Sequence, residues 1–118
     1  MTPPRGASGE ALACEHLVSR GLRILARNYR CRVGEIDVVA EDAGTVVFVE
    51  VKERTDDSHG SAVEAVTAGK RAKVVRAARR YAALHGLSEA PTRFDVVAID
   101  WGKDGPRVRH FAGAFGED

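Results

Sequence analysis

The sequence predicts an α/β fold: one mixed β-sheet with a helix on each face. Three observations predict it. Strand-length apolar runs alternate with two helix-length segments. The elements follow the order α-β-β-β-α-β, with a short strand at the end. A helix stands between the third and fourth strands, and such a crossover makes those strands parallel and the connection right-handed.

The elements can be justified in chain order. Ser8 can cap a helix from about Gly9 to Arg20, and Gly21 ends it. Leu22 to Arg32 reads as the first strand, Glu35 to Glu41 as the second and Thr45 to Arg54 as the third. Asp56 to Gly60, DDSHG, reads as a loop in which His59 is a loop residue. Thr67 can cap a long helix that ends near His85 and Gly86. Pro91 precedes the fourth strand, Arg93 to Asp100, where Asp95 is expected to be structural. A WGKDG turn leads to a last short strand, Arg107 to Phe111. Repeats, linkers and low-complexity tracts are absent from the sequence, so residues 1–118 are expected to form a single domain.

Composition narrows the classes. No apolar run approaches the ~20 residues of a membrane span. The start, MTPPRGASGE, lacks the apolar core of a signal peptide. Cys14 and Cys31 fit no metal or disulfide framework, so they are expected to be reduced thiols of a cytoplasmic protein. Net charge is only +1, but it is unevenly placed. Arg20, Arg23, Arg27, Arg30 and Arg32 fall in one segment without an acid, and Lys70, Arg71, Lys73, Arg76, Arg79 and Arg80 form a second block. The chain between them is rich in Asp and Glu. A basic rim around an acidic centre suits a polyanion held over a metal site; solvated surface charge is the plain alternative.

The odd charges lie in Gly34 to Arg54, GEIDVVAEDAGTVVFVEVKER. Side chains alternate faces along a strand. Val46, Phe48, Glu50 and Lys52 therefore share one face of the third strand. A short hairpin centred between Ala43 and Gly44 sets Val39 opposite Phe48, Asp37 opposite Glu50 and Glu35 opposite Lys52. The reverse face, with Ile36, Val38 and Ala40 opposite Val51, Val49 and Val47, is then wholly apolar. Opposed carboxylates repel, and burial makes that costly. A shared proton or a bridging divalent cation would offset the repulsion, and Mg²⁺ favours carboxylate and water ligands. On a helical wheel, Glu10 falls on the stripe of Cys14, Leu17 and Val18 that must face the sheet. Lys70 falls on the stripe of Val74, Ala77, Ala78 and Tyr81, with Lys73, Arg76 and Arg80 on a flank suited to a phosphate backbone.

Asp37, Glu50-Val51-Lys52 and the helical Glu10 together resemble the PD-(D/E)xK nuclease superfamily. The match is closer still to the bacterial YraN-like family, which resembles archaeal Holliday-junction resolvases. GEALACEHL, ARNYR, GEIDVVA, FVEVKER, KRAKVVRAARRYA, RFDVVAID and VRHFAGAF carry it, almost end to end from Gly9 to Phe115. Ile36 stands where the superfamily's proline would be. The resemblance implies a restriction-endonuclease-like core and a metal-dependent DNA endonuclease, with branched DNA among its substrates. It implies Mg²⁺ or Mn²⁺ held by Asp37, Glu50 and the Val51 carbonyl, with Lys52 and Glu10 completing the catalytic set. Arg27, Arg30, Arg54, Lys70, Lys73, Arg76 and Arg80 are then the expected nucleic-acid contacts. Resolvases work as dimers, which admits a homodimer, although the sequence has no dedicated dimer element. Two other readings are a catalytically inactive nucleic-acid-binding or partner-binding module on the same fold, and nuclease chemistry on RNA.

Overall fold

The structure, a computed structural model, describes residues 8–55 and 61–116. The expected Ser8 side-chain cap and the loop with His59 lie outside what is described. The elements are α1 (Ser8–Ser19), β1 (Arg23–Cys31), β2 (Gly34–Asp42), β3 (Thr45–Thr55), α2 (Ala62–Ala65), α3 (Ala68–Leu84), β4 (Thr92–Gly102) and β5 (Gly105–Phe115). The strands form one five-stranded sheet in the order β1-β2-β3-β4-β5. Only β3 and β4 run parallel, and the other neighbours are antiparallel. This is the mixed, helix-flanked sheet of a restriction-endonuclease-like core.

Local chemistry sets the connections. Gly21, at φ +93°, lets the chain leave α1 in a left-handed turn that an ordinary side chain would resist. Asp42 pairs with Thr45 across Ala43 and Gly44, both at positive φ, the two-residue turn that matches strand twist. The Thr67 hydroxyl caps α3 by accepting the Lys70 amide hydrogen at 3.2 Å. One short element was not expected. Ser61 and Glu64 form a reciprocal capping box that starts α2. Arg71 then closes its other end by donating to the Val63 and Val66 carbonyls at 2.6 and 2.8 Å. The last strand is also longer than expected, spanning Gly105–Phe115 rather than Arg107 to Phe111.

Each sheet face carries its own core. Under α3, Phe48, Val39, Val46 and Phe94 pack against Val74, Ala78 and Tyr81. Under α1, Val38, Ala40, Val47, Val49, Val97 and Ile99 pack against Ala13 and Leu17. Val18 does not join this stripe; it stands 56% exposed. Asp95 is the fully buried acid of the sheet. Arg93 donates to both its oxygens at 2.9 and 3.0 Å, Gly113 N–H donates at 2.9 Å, and His110 Nε2 lies 2.7 Å away. Burial works against this charge, yet the bonds from His110, Arg93 and Gly113 prevail and hold its pKa below the ordinary value. Among the described residues no helix is long and apolar enough to cross a membrane.

Candidate active site

The β2–β3 register follows the expected pairing from Asp42↔Thr45 up to Val38↔Val49. There the ladder ends and the strands part. Ile36 packs with Val39 and Phe48 under α3, not with Val38 and Ala40 under α1 as strict alternation predicts. The expected ladder partners Asp37–Glu50, Ile36–Val51 and Glu35–Lys52 are therefore not formed as such. Instead the Asp37 carboxylate does the work of a backbone carbonyl: Val51 N–H donates to Asp37 Oδ2 at 2.8 Å. The detour still brings Asp37 and Glu50 close enough for each to shift the other's pKa.

The pair is electrostatically strained. Burial, and then the negative charge of Asp37, push Glu50 up to about 7. Burial also raises Asp37, while the Val51 hydrogen bond and Lys70 pull it back. Glu50 Oε1 is buried with no hydrogen-bond partner among the described residues. A buried acceptor without a partner is uncommon and costly.

Lys70 supplies the positive charge that sequence reasoning had not assigned here. Its Nζ stands 3.6 Å from Glu50 Oε2 and 3.9 Å from Glu35 Oε1. The helical wheel had placed Lys70 toward the sheet; the wheel could not name its partners. Lys52 is half-buried and lines a cavity of about 330 Å³ with Glu50, Thr67 and Lys70. Among the described residues Lys52 makes no ion pair. Glu10 is bonded to two residues of β1. Arg27 Nε and Asn28 Nδ2 donate to its Oε1 at 3.0 and 3.1 Å, which holds it over β1. Asn28 lies between the register positions Arg27↔Val38 and Tyr29↔Ile36, so it stands across from Asp37. Its φ of +52°, tolerated best by Asn, Asp and Gly, marks that distortion.

The expected nucleic-acid cations separate into two sets. Arg27 is paired with Glu10, Arg30 with Glu35 at 3.3 Å, and Arg54 with Asp100 at 3.1 Å. The Arg54 side chain is only 10% exposed, so it is a structural ion pair rather than a surface contact. Lys73, Arg76 and Arg80 are exposed on α3 and have no ion-pair partner among the described residues. Arg32, singled out only as part of a basic block, faces them from the β1–β2 turn. A cavity of about 410 Å³ runs between this turn and α3, lined by Arg30, Arg32, Glu35, Lys70 and Lys73 among others. A second, of about 390 Å³, lies between Arg32, Val33 and Arg80. The turn is seated tightly: a Cβ at Gly34 would stand 2.8 Å from the Lys73 carbonyl oxygen.

The donor set fits a hard divalent cation in kind. Two adjoining carboxylates, one with an unsatisfied oxygen, match what Mg²⁺ takes from a protein, since it keeps several waters. The described residues contain no group of three His, Cys, Asp or Glu side chains able to hold a metal, so any remaining ligands would be backbone, water or substrate.

Curated relatives resemble this chain along nearly its whole length. A UPF0102 protein of Anaeromyxobacter dehalogenans is 49% identical over 113 residues, covering 96% of this chain and 84% of its own. One of Mycolicibacterium smegmatis is 48% identical, with 92% and 90% covered, and one of Symbiobacterium thermophilum is 48% identical, with 93% and 94% covered. The model of the uncharacterised protein family UPF0102 matches residues 9–99, a span that holds both Asp37 and Glu50 and every element from α1 into β4. With that match and these identities, the chain belongs to the UPF0102 family.

Proposed function

We propose that this protein is a metal-dependent DNA endonuclease that hydrolyses phosphodiester bonds, with branched DNA among its substrates. The observation that carries the reading is the half-buried Asp37 beside the buried Glu50, whose Oε1 has no hydrogen-bond partner among the described residues. A groove beside it, whose Arg32 and Lys73 have no ion-pair partner among the described residues, supports the choice of a polyanionic substrate. Asp37, Glu50 and the Val51 carbonyl would hold Mg²⁺ or Mn²⁺. Such an ion supplies a water of lowered pKa and neutralises charge on the phosphate.

The chain's own groups supply the rest. Glu50 must give up its proton to hold the ion, so binding releases a proton near neutral pH. Lys52, on the same cavity wall, can orient the attacking water or donate to the charge that develops on the phosphoryl oxygens. Glu10 of α1, held by Arg27 and Asn28 of β1, is a positioning group unless those bonds release it. Lys73, Arg76 and Arg80 on α3, with Arg32 across the groove, can contact backbone phosphates on one side of the site.

A second reading has its own support. Lys70 already neutralises Glu50, and Glu10 is already engaged by Arg27 and Asn28, as suits an inactive nucleic-acid-binding module. A cleavage panel separates the two. Labelled linear duplex, single strand, flap and four-way junction would be incubated with Mg²⁺ or Mn²⁺ and with EDTA. The nuclease reading expects metal-dependent cleavage of at least one substrate, abolished by Glu50→Gln. Binding to these DNAs without cleavage by the pure protein, together with no calorimetric binding of either ion at millimolar concentration, supports the inactive module.

A further inference from the structure

We infer that Lys70 is an exchangeable counter-ion that couples metal binding to nucleic-acid binding: without metal it serves the carboxylates, and with metal it serves a backbone phosphate. The inference rests on the proposed metal site and assigns that site a positioning residue.

Its position comes first. Lys70 lines both the cavity beside Glu50 and Lys52 and the basic groove beneath the β1–β2 turn. It therefore stands where the acidic and basic halves of the surface meet. Its backbone is fixed in the first turn of α3 by the Thr67 cap. Its four-carbon side chain, 33% exposed, is free to swing about that fixed point.

The quality of its contacts comes second. Charge-assisted N–H···O bonds are about 2.7–2.9 Å long. Lys70 stands at 3.6 and 3.9 Å from its two acids, between Glu50 and Glu35 and close to neither. Such a pair neutralises charge without fixing geometry, so little is lost when the ammonium leaves. Arg93 is a contrast within this chain: its bonds to Asp95, at 2.9 and 3.0 Å, lock the pair.

The charge count comes third. Asp37 and Glu50 carry two negative charges when both are ionised. A divalent cation between them cancels both, and the ammonium then meets a neutral or positive neighbour. The groove side, with Glu35 at 3.9 Å, is its nearest outlet. A phosphate lying there would take the ammonium from Glu35, which keeps Arg30 at 3.3 Å. Metal binding thus adds a phosphate contact at a distance from the metal itself, and by linkage bound nucleic acid raises metal affinity.

The test measures the salt dependence of DNA binding by anisotropy, using a labelled duplex. It is run in EDTA and with Ca²⁺ in place of Mg²⁺ to hold off cleavage. Each neutralised duplex phosphate steepens the slope of log K against log salt by about 0.9. Any contact made by the metal itself steepens wild type and variant alike. Adding Ca²⁺ should steepen the wild-type slope by about 0.9 more than that of Lys70→Gln. Lys70→Arg, which keeps the charge, should restore the difference. Calorimetry at alkaline pH should show Lys70→Gln binding Ca²⁺ at least as tightly as wild type, since no ammonium has to be displaced. Equal steepening in wild type and Lys70→Gln, with metal binding intact, overturns this inference alone. Absence of any divalent-ion heat in the wild type overturns the proposed metal site and this inference with it.

Discussion

Asp37→Asn should stabilise the metal-free protein and destabilise the metal-bound one, relative to wild type. The substitution removes one charge at nearly constant volume. Its amide oxygen can still accept from Val51 N–H, so β3 keeps that bond. Glu50 is pushed from 4.5 to about 7, a penalty of about 3 kcal/mol on its ionised form at alkaline pH. Burial is the larger cause and the Asp37 charge the second. Removing that charge therefore recovers the smaller share, about 1 kcal/mol, which raises Tm by roughly 3–6 °C for a chain of this size. The sign with pH follows from a raised carboxyl pKa. The protonated form is favoured in the fold, so this contribution is fully present below about pH 4.5 and is lost as pH rises through about 7. The advantage of the variant should thus grow across that window and level off above it. Saturating metal reverses the order: an ion at a hundred times its Kd stabilises wild type by about 2.7 kcal/mol. The variant, with one carboxylate left, should gain far less. Differential scanning fluorimetry in EDTA and in Mg²⁺ or Mn²⁺, at several pH values, reads the crossing directly. A variant less stable than wild type in EDTA at alkaline pH, with no metal response in either, would refute the reasoning.

Other outcomes follow from the same geometry. Lys52→Ala should bind metal in calorimetry as wild type does, while single-turnover cleavage falls by ~10² or more; unchanged turnover removes Lys52 from the chemistry. Arg76→Ala and Arg80→Ala should each weaken DNA binding at every sequence and reduce the salt slope by about one phosphate contact. A slope equal to wild type in both would place the backbone elsewhere. Gly34→Ala must move the β1–β2 turn away from the Lys73 carbonyl. It should cost about 1–3 kcal/mol in denaturant unfolding and also weaken DNA binding. Full stability in that variant would mean that the turn is not seated on α3 as described.

Much of this arrangement was legible in the sequence because strand alternation and turn length are local rules. The hairpin through Ala43 and Gly44 fixed the register as far as Val38 and Val49. The crossover required β3 and β4 to be parallel, and they are. Alternation failed where the ladder stops. Nothing local announces that Asp37 will replace a backbone acceptor and turn Ile36 to the other face. The Ser61–Glu64 capping box was visible as S-x-x-E but was followed by too short a stretch to read as a helix. Long side chains were the least legible. Glu10 and Arg27, or Arg54 and Asp100, meet across 17 and 46 residues of sequence, and only the assembled sheet brings them together. Arg54 is an example: it follows Lys52 on the same strand face, and its partner Asp100 lies on β4.

The bond from Val51 to Asp37 separates two requirements at a single position. The sheet requires an oxygen there, because an apolar side chain would leave a β3 amide without an acceptor. The proposed chemistry requires that the oxygen be charged. These requirements are lost by different substitutions and leave different traces in descendants. Asparagine at this position would mark a lineage that gave up the chemistry and kept the sheet. Valine or leucine would mark one in which the β2–β3 junction had been rebuilt as well. Position 37 can therefore be read in any relative as a record of which loss came first.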